Sequence, residues 1–412
     1  MLSIFAVPLL ALSAVSASMP TARSTSPVIG TWYAGWHATT GFPLSSISWG
    51  KYNTVYYSFA IPTSSVDSLS LDGSNGDLLP QFVSEAHKNG VAAHVGVGGW
   101  TGSRWFSSSI ATSSNRTAFV KTVVDFADKY KLDGIQIDWE YPAKQGVGCN
   151  TVSVDDTSNF LKFLQELRQN AVGAKLTLSA AVSLTPFTDA SGHPSADVSG
   201  FAKVFDYITL MNYDVWGSWS KHVGPNAPLN DTCASSERQQ GSAVSAVKAW
   251  TAAGIPVNKI VLGVASYGHS FSVSPSAAFK PGTKDLAPYP VFDASKQPLG
   301  DVWDDGTGGI DVCGVKQGPG GTFRFWGLMD GGFLNKEGKP ADGIYNRYDE
   351  CSDTPYVYNE TSQVMISYDN PKSFAAKGKF IKEAGLRGFT MWEAGGDHHD
   401  MLLDSISKAM GH

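Results

Sequence analysis

Eight short runs of apolar, often β-branched residues recur along this chain, at 28–33, 54–60, 92–97, 134–139, 176–182, 207–212, 260–265 and 388–392. Between them lie longer stretches with helical spacing of apolar residues, at 79–88, 116–130, 157–170, 243–253 and 371–384, and another at 401–410 closes the chain. A strand whose chain returns through a helix pairs in parallel with the next, so repeated βα units build a parallel sheet with helices outside it. Eight such units predict an α/β fold, a TIM (β/α)8 barrel, with functional groups at the C-terminal ends of its strands. One segment breaks the rhythm. Residues 269–370 are rich in Gly, Pro and aromatic residues and carry no long helical pattern. That length is too great for a structureless loop, so a small α+β insertion between strand 7 and its helix is expected. The barrel then comprises 22–268 and 371–412.

Residues 1–17 read as a secretory signal peptide: an apolar, acid-free stretch from Leu2 to Leu12 followed by the small residues Val15-Ser16-Ala17. No later run of about 18 apolar residues follows, so a secreted protein with no membrane partner is expected. Four cysteines in a secreted chain imply two disulfides and leave three connectivities open. The sequential one, Cys149 with Cys233 and Cys313 with Cys351, is the expectation. Sequons at Asn115, Asn230 and Asn359 fit an exported glycoprotein. The net charge of −6, with no basic cluster, argues against a nucleic-acid partner. Aromatic residues make up 12% of the chain, and a neutral sugar offers ring faces to such side chains, although core packing accounts for most of them.

The chemistry concentrates in the fourth run, Asp133-Gly134-Ile135-Gln136-Ile137-Asp138-Trp139-Glu140-Tyr141-Pro142. On an extended strand Gln136, Asp138 and Glu140 share one face, while Ile135, Ile137 and Trp139 share the other. Crowding two carboxylates on one face of an interior strand costs desolvation and like-charge repulsion, which points to titration or binding. Asp133 falls on the other parity from Glu140 and is assigned a structural role.

This run resembles the signature of glycoside hydrolase family 18, the chitinases. So do Val95-Gly96-Val97-Gly98-Gly99-Trp100, Met211-Asn212-Tyr213-Asp214 and Met391-Trp392-Glu393 at the ends of strands three, six and eight. Leu262 to Gly268 and Ile366-Ser367-Tyr368-Asp369 resemble the flanks of the α+β insertion of one branch, with the flavour of secreted fungal members. The resemblance implies a retaining hydrolase of β-1,4-N-acetylglucosamine polymers, whose nucleophile is the substrate's own acetamide rather than a second carboxylate. It implies Glu140 as general acid and base, Asp138 as the group that orients the acetamide, and Tyr213 as a donor to the acetamide oxygen. It places Met211, Asp214 and Tyr267 at the reacting sugar and Trp392 beneath it. Trp32, Trp36, Trp100, Tyr141 and Trp219 correspond to cleft-lining positions, of which about half are expected to touch sugar. Without the resemblance, Met211 and Tyr213 also fit barrel-core layers.

Three positions depart from the family pattern. Gln136 stands where most members have Asp; its amide can offer Asp138 a hydrogen bond without adding charge, so Asp138 is expected to stay ionised to lower pH. Gly96 replaces a usual Ser. His269 replaces a common Arg and is expected to be an exposed imidazole at the rim. No cofactor or metal is expected: Asp397-His398-His399-Asp400 places two adjacent histidines whose rings should point apart. A monomer acting on chitin and chitooligosaccharides is the reading. A chitin-binding lectin and an endo-β-N-acetylglucosaminidase acting on N-glycans are the alternatives on the same scaffold.

Overall fold

The computed structural model describes residues 26–304 and 309–412. The signal-peptide reading falls outside them. The chain runs β1 (Val28–Ala34), β2 (Thr54–Pro62), β3 (Leu69–Ser70), α1 (Leu79–Lys88), β4 (Ala92–Gly98), α2 (Phe106–Ile110) and α3 (Ser113–Tyr130). It continues through β5 (Gly134–Asp138), α4 (Asp156–Gln169), β6 (Thr177–Val182), α5 (Ser199–Val204), β7 (Tyr207–Leu210), α6 (Ala243–Ala252) and β8 (Ile260–Ala265). After a second sheet come α9 (Pro371–Ala384), β14 (Gly388–Trp392) and α10 (Met401–Met410). The parallel strands follow the order β1-β14-β8-β7-β6-β5-β4-β2, and pairing of β1 with β2 closes them into an eight-stranded barrel. The predicted TIM barrel is therefore the fold.

The barrel forms because each strand buries an apolar outer face under the helices. Ile135, Ile137 and Trp139 of the β5 segment pack outward against Phe106, Phe119 and Phe160 of the helical layer, while Gln136 and Asp138 face inward. Helix α3 starts where Thr112 accepts the Asn115 N–H and stops at Lys131 in the left-handed region. Helices α2 and α5, of five and six residues, escaped the sequence reading because neither completes two turns of periodic pattern. Strand β7 ends at Leu210 rather than 212, because the Asn212 backbone N–H turns back to the Leu210 carbonyl at 2.8 Å, while its carboxamide donates to the Pro228 carbonyl at 3.0 Å.

The second sheet lies between β8 and α9. Its strands β9 (Tyr267–Ser272), β10 (Thr322–Arg324), β11 (Tyr345–Asp349), β12 (Thr354–Asn359) and β13 (Val364–Ser367) pair antiparallel in the order β10-β9-β13-β12-β11, with short helices α7 (Pro275–Ala278) and α8 (Phe325–Asp330). Only Ser266 separates β8 from β9, so the barrel strand runs almost directly into the inserted sheet.

The disulfides correct the sequential expectation: Cys149 bonds to Cys313 and Cys233 to Cys351, with Cα separations of 5.5 and 5.8 Å. The inserted segment folds back over the loops that follow β5 and β7, which brings each of its cysteines to a barrel loop instead of to the other. The bridges close loops with sequence separations of 164 and 118 residues. Non-reducing peptide mapping is expected to recover these two cross-links and no Cys313–Cys351 peptide. Replacing Cys233 and Cys351 together by Ser is expected to lower the free energy of unfolding by about 2–5 kcal/mol in a guanidinium titration.

Candidate active site

Asp138 and Glu140 sit at the C-terminal end of β5, held there by the loop after β4. Gly99 N–H donates to the Asp138 carbonyl at 2.8 Å, and the Ser103 hydroxyl accepts the Glu140 N–H at 2.9 Å. On the other side Asn150 donates to the Glu140 carbonyl at 2.8 Å. The approach is close enough that a Cβ on Gly98, whose φ is +110°, would stand 2.2 Å from the Asp138 carbonyl oxygen. Ser103 and Asn150 were not singled out from the sequence, where a Ser in a Ser-rich loop and a distant Asn carry no signal. Asp133 lies at the opposite end of β5, where its carboxylate takes the Ala93 N–H and His87 Nε2, each at 2.8 Å.

Burial dominates the electrostatics. It pushes Asp138 up to about 7, and it raises Glu140 well above the usual carboxylate range, with the charge of Asp138 adding to the rise and a hydrogen bond from Tyr141 opposing it. The Gln136 amide does not relieve this. Its Oε1 accepts the Trp32 indole N–H at 2.7 Å and its Nε2 reaches Thr209 Oγ1 at 3.4 Å, while Asp138 Oδ1 has no hydrogen-bond partner among the described residues. The neutral amide at 136 spares Asp138 a like charge, but burial alone still carries it above the ordinary carboxylate range. Together the two carboxyls favour holding a proton near neutrality, as a general acid requires.

Tyr213 follows β7 and meets the same charges: burial raises its hydroxyl pKa well above the usual value, and Asp138, Asp214 and Glu140 all add to the rise. Asp214, in the left-handed region at φ 56°, receives the Tyr267 hydroxyl at 2.8 Å and His269 Nε2 at 2.7 Å on Oδ1. His269 is therefore not an exposed rim imidazole; it is 6% exposed, because β9 carries it under Trp219, whose ring meets it edge to face at 5.3 Å. Asn226 ties this wall together by accepting the Asp214 N–H and donating to the Tyr267 carbonyl. The rings of Trp100 and Trp219 are 49% and 61% exposed, available to a ligand.

Trp392, at the end of β14, is partly buried among Trp32, Trp36, Phe59 and Met211. Trp32 is 1% exposed, so its assignment as a sugar-contacting ring is corrected: it lies inside the barrel, under Trp392. Trp36 stays at the rim, where its indole donates to His37. Phe59 was missed. Strand parity groups it with Tyr57 on the outer face, but a register shift between Tyr57 and Ala60 turns it inward, parallel to Trp392 at 5.7 Å. This also accounts for Gly96, since a Cβ there would stand 2.8 Å from the Phe59 ring.

Among the described residues no group of three or more His, Cys, Asp or Glu side chains is placed to hold a metal ion. Asp397 instead accepts the N–H groups of His398, Leu402 and Leu403 at the start of α10. His398 and His399 occupy a turn rather than a regular element, and their rings meet edge to face at 4.2 Å instead of pointing apart.

The model of the glycosyl hydrolases family 18 matches residues 28–397. The chain belongs to that family. A "chitinase-like effector" of Moniliophthora roreri is 52% identical over 412 residues, covering 100% of this chain and 99% of the relative. Chitinase A1 of Niallia circulans is 30% identical over 76% of this chain and 41% of its own length. The crystal structure of a chitinase from Rhizomucor miehei superposes with a TM-score of 0.83 at 32% identity, covering 92% of this chain and 99% of that one. The chain is thus a family 18 glycoside hydrolase, with relatives named chitinase and chitinase-like effector.

In this family 18 hydrolase, Gly96→Ser is expected to lower stability by about 1–3 kcal/mol through overpacking against Phe59, and Phe59→Ala in the same chain to recover part of that loss, as measured by urea denaturation. Glu393, next to Trp392, supplies a pH test. Burial raises it from 4.5 to about 7, so the native state holds a proton that the unfolded chain releases. Its contribution to stability is complete below about 4.5 and is lost as pH rises through about 7. Glu393→Gln is expected to remove a decline on the order of 3 kcal/mol between those limits, seen by comparing urea unfolding free energies of wild type and variant at the two pH values.

Proposed function

We propose that this protein hydrolyses the β-1,4-N-acetylglucosamine linkages of chitin and chitooligosaccharides with retention, by substrate-assisted catalysis. Glu140, protonated because burial and Asp138 raise its pKa, donates to the glycosidic oxygen as that bond breaks. The acetamide oxygen of the same sugar attacks the anomeric carbon to give a cyclic oxazolinium ion. Asp138 accepts the acetamide N–H and its negative charge balances the cation, while Tyr213 donates to the acetamide oxygen. Glu140, now a carboxylate, takes a proton from the water that opens the ring, so its protonation state is restored. Trp392 is the apolar floor under the reacting sugar, and Trp100 and Trp219 are platforms further along the cleft.

The observation that carries this reading is the pairing of Asp138 and Glu140, two residues apart at one strand end, the first buried and the second half-buried, and both held above their ordinary range. The two disulfides and three sequons support secretion, and no helix among the described residues is long and apolar enough to cross a membrane. We assign the protein to the extracellular space or cell wall, as a monomer. A second reading, capture of chitin oligomers without cleavage, draws support from the Moniliophthora roreri relative, which is named a chitinase-like effector rather than a chitinase.

One substitution and one substrate separate the readings. On chitin hexamer the wild type is expected to release shorter oligomers with the β-anomer in excess at early times. Glu140→Gln is expected to bind the hexamer normally while turnover falls by about 10²–10⁴. Near-normal turnover of that variant would refute the acid assignment, and hexamer binding without cleavage by the wild type would establish the capture reading.

A further inference from the structure

The polar interior of the barrel contains one hydrogen bond that reaches the proposed sugar floor. Gln136 is fully buried on β5, and Trp32, 1% exposed, comes from β1, across the barrel and separated from β5 by β2 and β4. Their side chains meet at 2.7 Å, the indole N–H donating to the amide oxygen. An indole nitrogen only donates, so the amide must present its oxygen, which turns its NH₂ toward Thr209 on β7 at 3.4 Å. Trp32 then meets Trp392 edge to face, with centroids 5.7 Å apart and planes at 65°.

We propose that Gln136 is a positioning residue that fixes the Trp392 floor through Trp32, and thereby sets affinity for the reacting sugar, rather than a partner of Asp138. The inference rests on the reading of Trp392 as that floor. Three features of the geometry argue for it. Both acceptor and donor capacity of the amide are used within the barrel, on Trp32 and Thr209, and Asp138 Oδ1 is left without a partner among the described residues. The length of the side chain matters, since an aspartate at 136 stops one carbon short of Trp32. Its charge state matters too, because a carboxylate has no proton to offer Thr209. The site therefore uses a longer, neutral side chain to brace the ring, and Trp32 gains a buried partner that its N–H would otherwise lack.

The test measures chitotetraose affinity by calorimetry in a Glu140→Gln background, with Gln136→Met and Trp32→Phe as the probes and Trp392→Ala as the check on the floor. Each probe removes one end of the bond, so each is expected to weaken binding about tenfold, and the double variant no more than the weaker-binding single. With Glu140 intact, Gln136→Met is expected to raise KM about tenfold, to lower kcat by no more than about threefold, and to leave the acidic limb of the kcat profile in place. If both probes bind within about twofold of the parent while Trp392→Ala binds weakly, the inference is overturned and the floor stands. If the acidic limb moves by about half a unit or more with affinity intact, Gln136 acts on Asp138 and the inference is equally overturned. If Trp392→Ala binds normally, the floor assignment fails first and the inference with it. Should one probe fail to fold, the other still decides, because either end of the bond carries the same expectation.

Discussion

Closure of the eight strands is the constraint from which the site follows. Once β1 pairs with both β14 and β2, every inward side chain must share a single interior from which water is largely excluded. Polar residues there have to find one another. Tyr56 and Tyr207 do so at the N-terminal end, hydroxyl to hydroxyl at 2.5 Å, and Gln136 bridges Trp32 and Thr209 in the middle. At the C-terminal end Asp138 Oδ1 and Glu393 Oε1 are buried without partners among the described residues, and they are the carboxylate oxygens at the barrel mouth for which this holds, beside the smaller polar groups of Ser58, His94, Ser179 and Thr390 on the strands. An unpartnered buried carboxylate oxygen costs on the order of 1–3 kcal/mol or more, and such cost at the mouth of a barrel marks a place where a ligand completes the network. The protein pays this at the site and recovers it through the apolar packing around β5.

The same burial divides labour between two carboxyls that differ little in chemistry. Asp138 projects into the closed interior and Glu140 lies past the strand end, half-buried, within reach of Tyr141. Because they lie close, ionisation of one discourages ionisation of the other, and the pair titrates as a unit. A chemistry that needs one acid and one anion at the same pH is served by that coupling without a third carboxylate. This fits a chain in which position 136 is an amide, and in which that amide is committed to a ring instead of to the acids.

Much of this was legible in the sequence, for reasons that particular elements show. Strands such as Ile260–Ala265 and Gly388–Trp392 were found at their full length, because apolar β-branched runs bounded by turn residues leave little choice. The paired positions of Asp138 and Glu140 followed from strand parity alone. What was not legible depends on contacts between distant segments. Parity sent Phe59 outward until a register shift turned it in. Trp32 looked like a sugar platform because an indole in a barrel strand reads the same whether it faces ligand or core. His269 looked exposed because nothing local announces that β9 will fold it beneath Trp219 and onto Asp214. The cysteine pairing failed for the same reason, since no spacing rule encodes how an inserted sheet lies over barrel loops.

The inserted sheet is more than an added wall, because the site is assembled across its junction with the barrel. Ser266, the one residue between β8 and β9, donates its hydroxyl to the Glu393 carbonyl at 2.8 Å and accepts the Glu393 N–H at 2.9 Å, locking the end of β14 where Trp392 sits. One residue later, Tyr267 begins the wall that grips Asp214, while Asn226 joins that wall to both β7's loop and β13 through Ser367. The disulfides then fasten the loops after β5 and β7, which follow Glu140 and Asp214, to the same inserted segment. Trp392, the wall around Asp214 and the loop after Glu140 are thus fixed to one another by short links rather than held separately by the barrel. A site whose groups must stay within about 0.5 Å of a working geometry gains most from supports of this kind. It follows that a substitution at the junction should disturb floor and wall together, whereas one in the outer strands β11 or β12 should leave both in place.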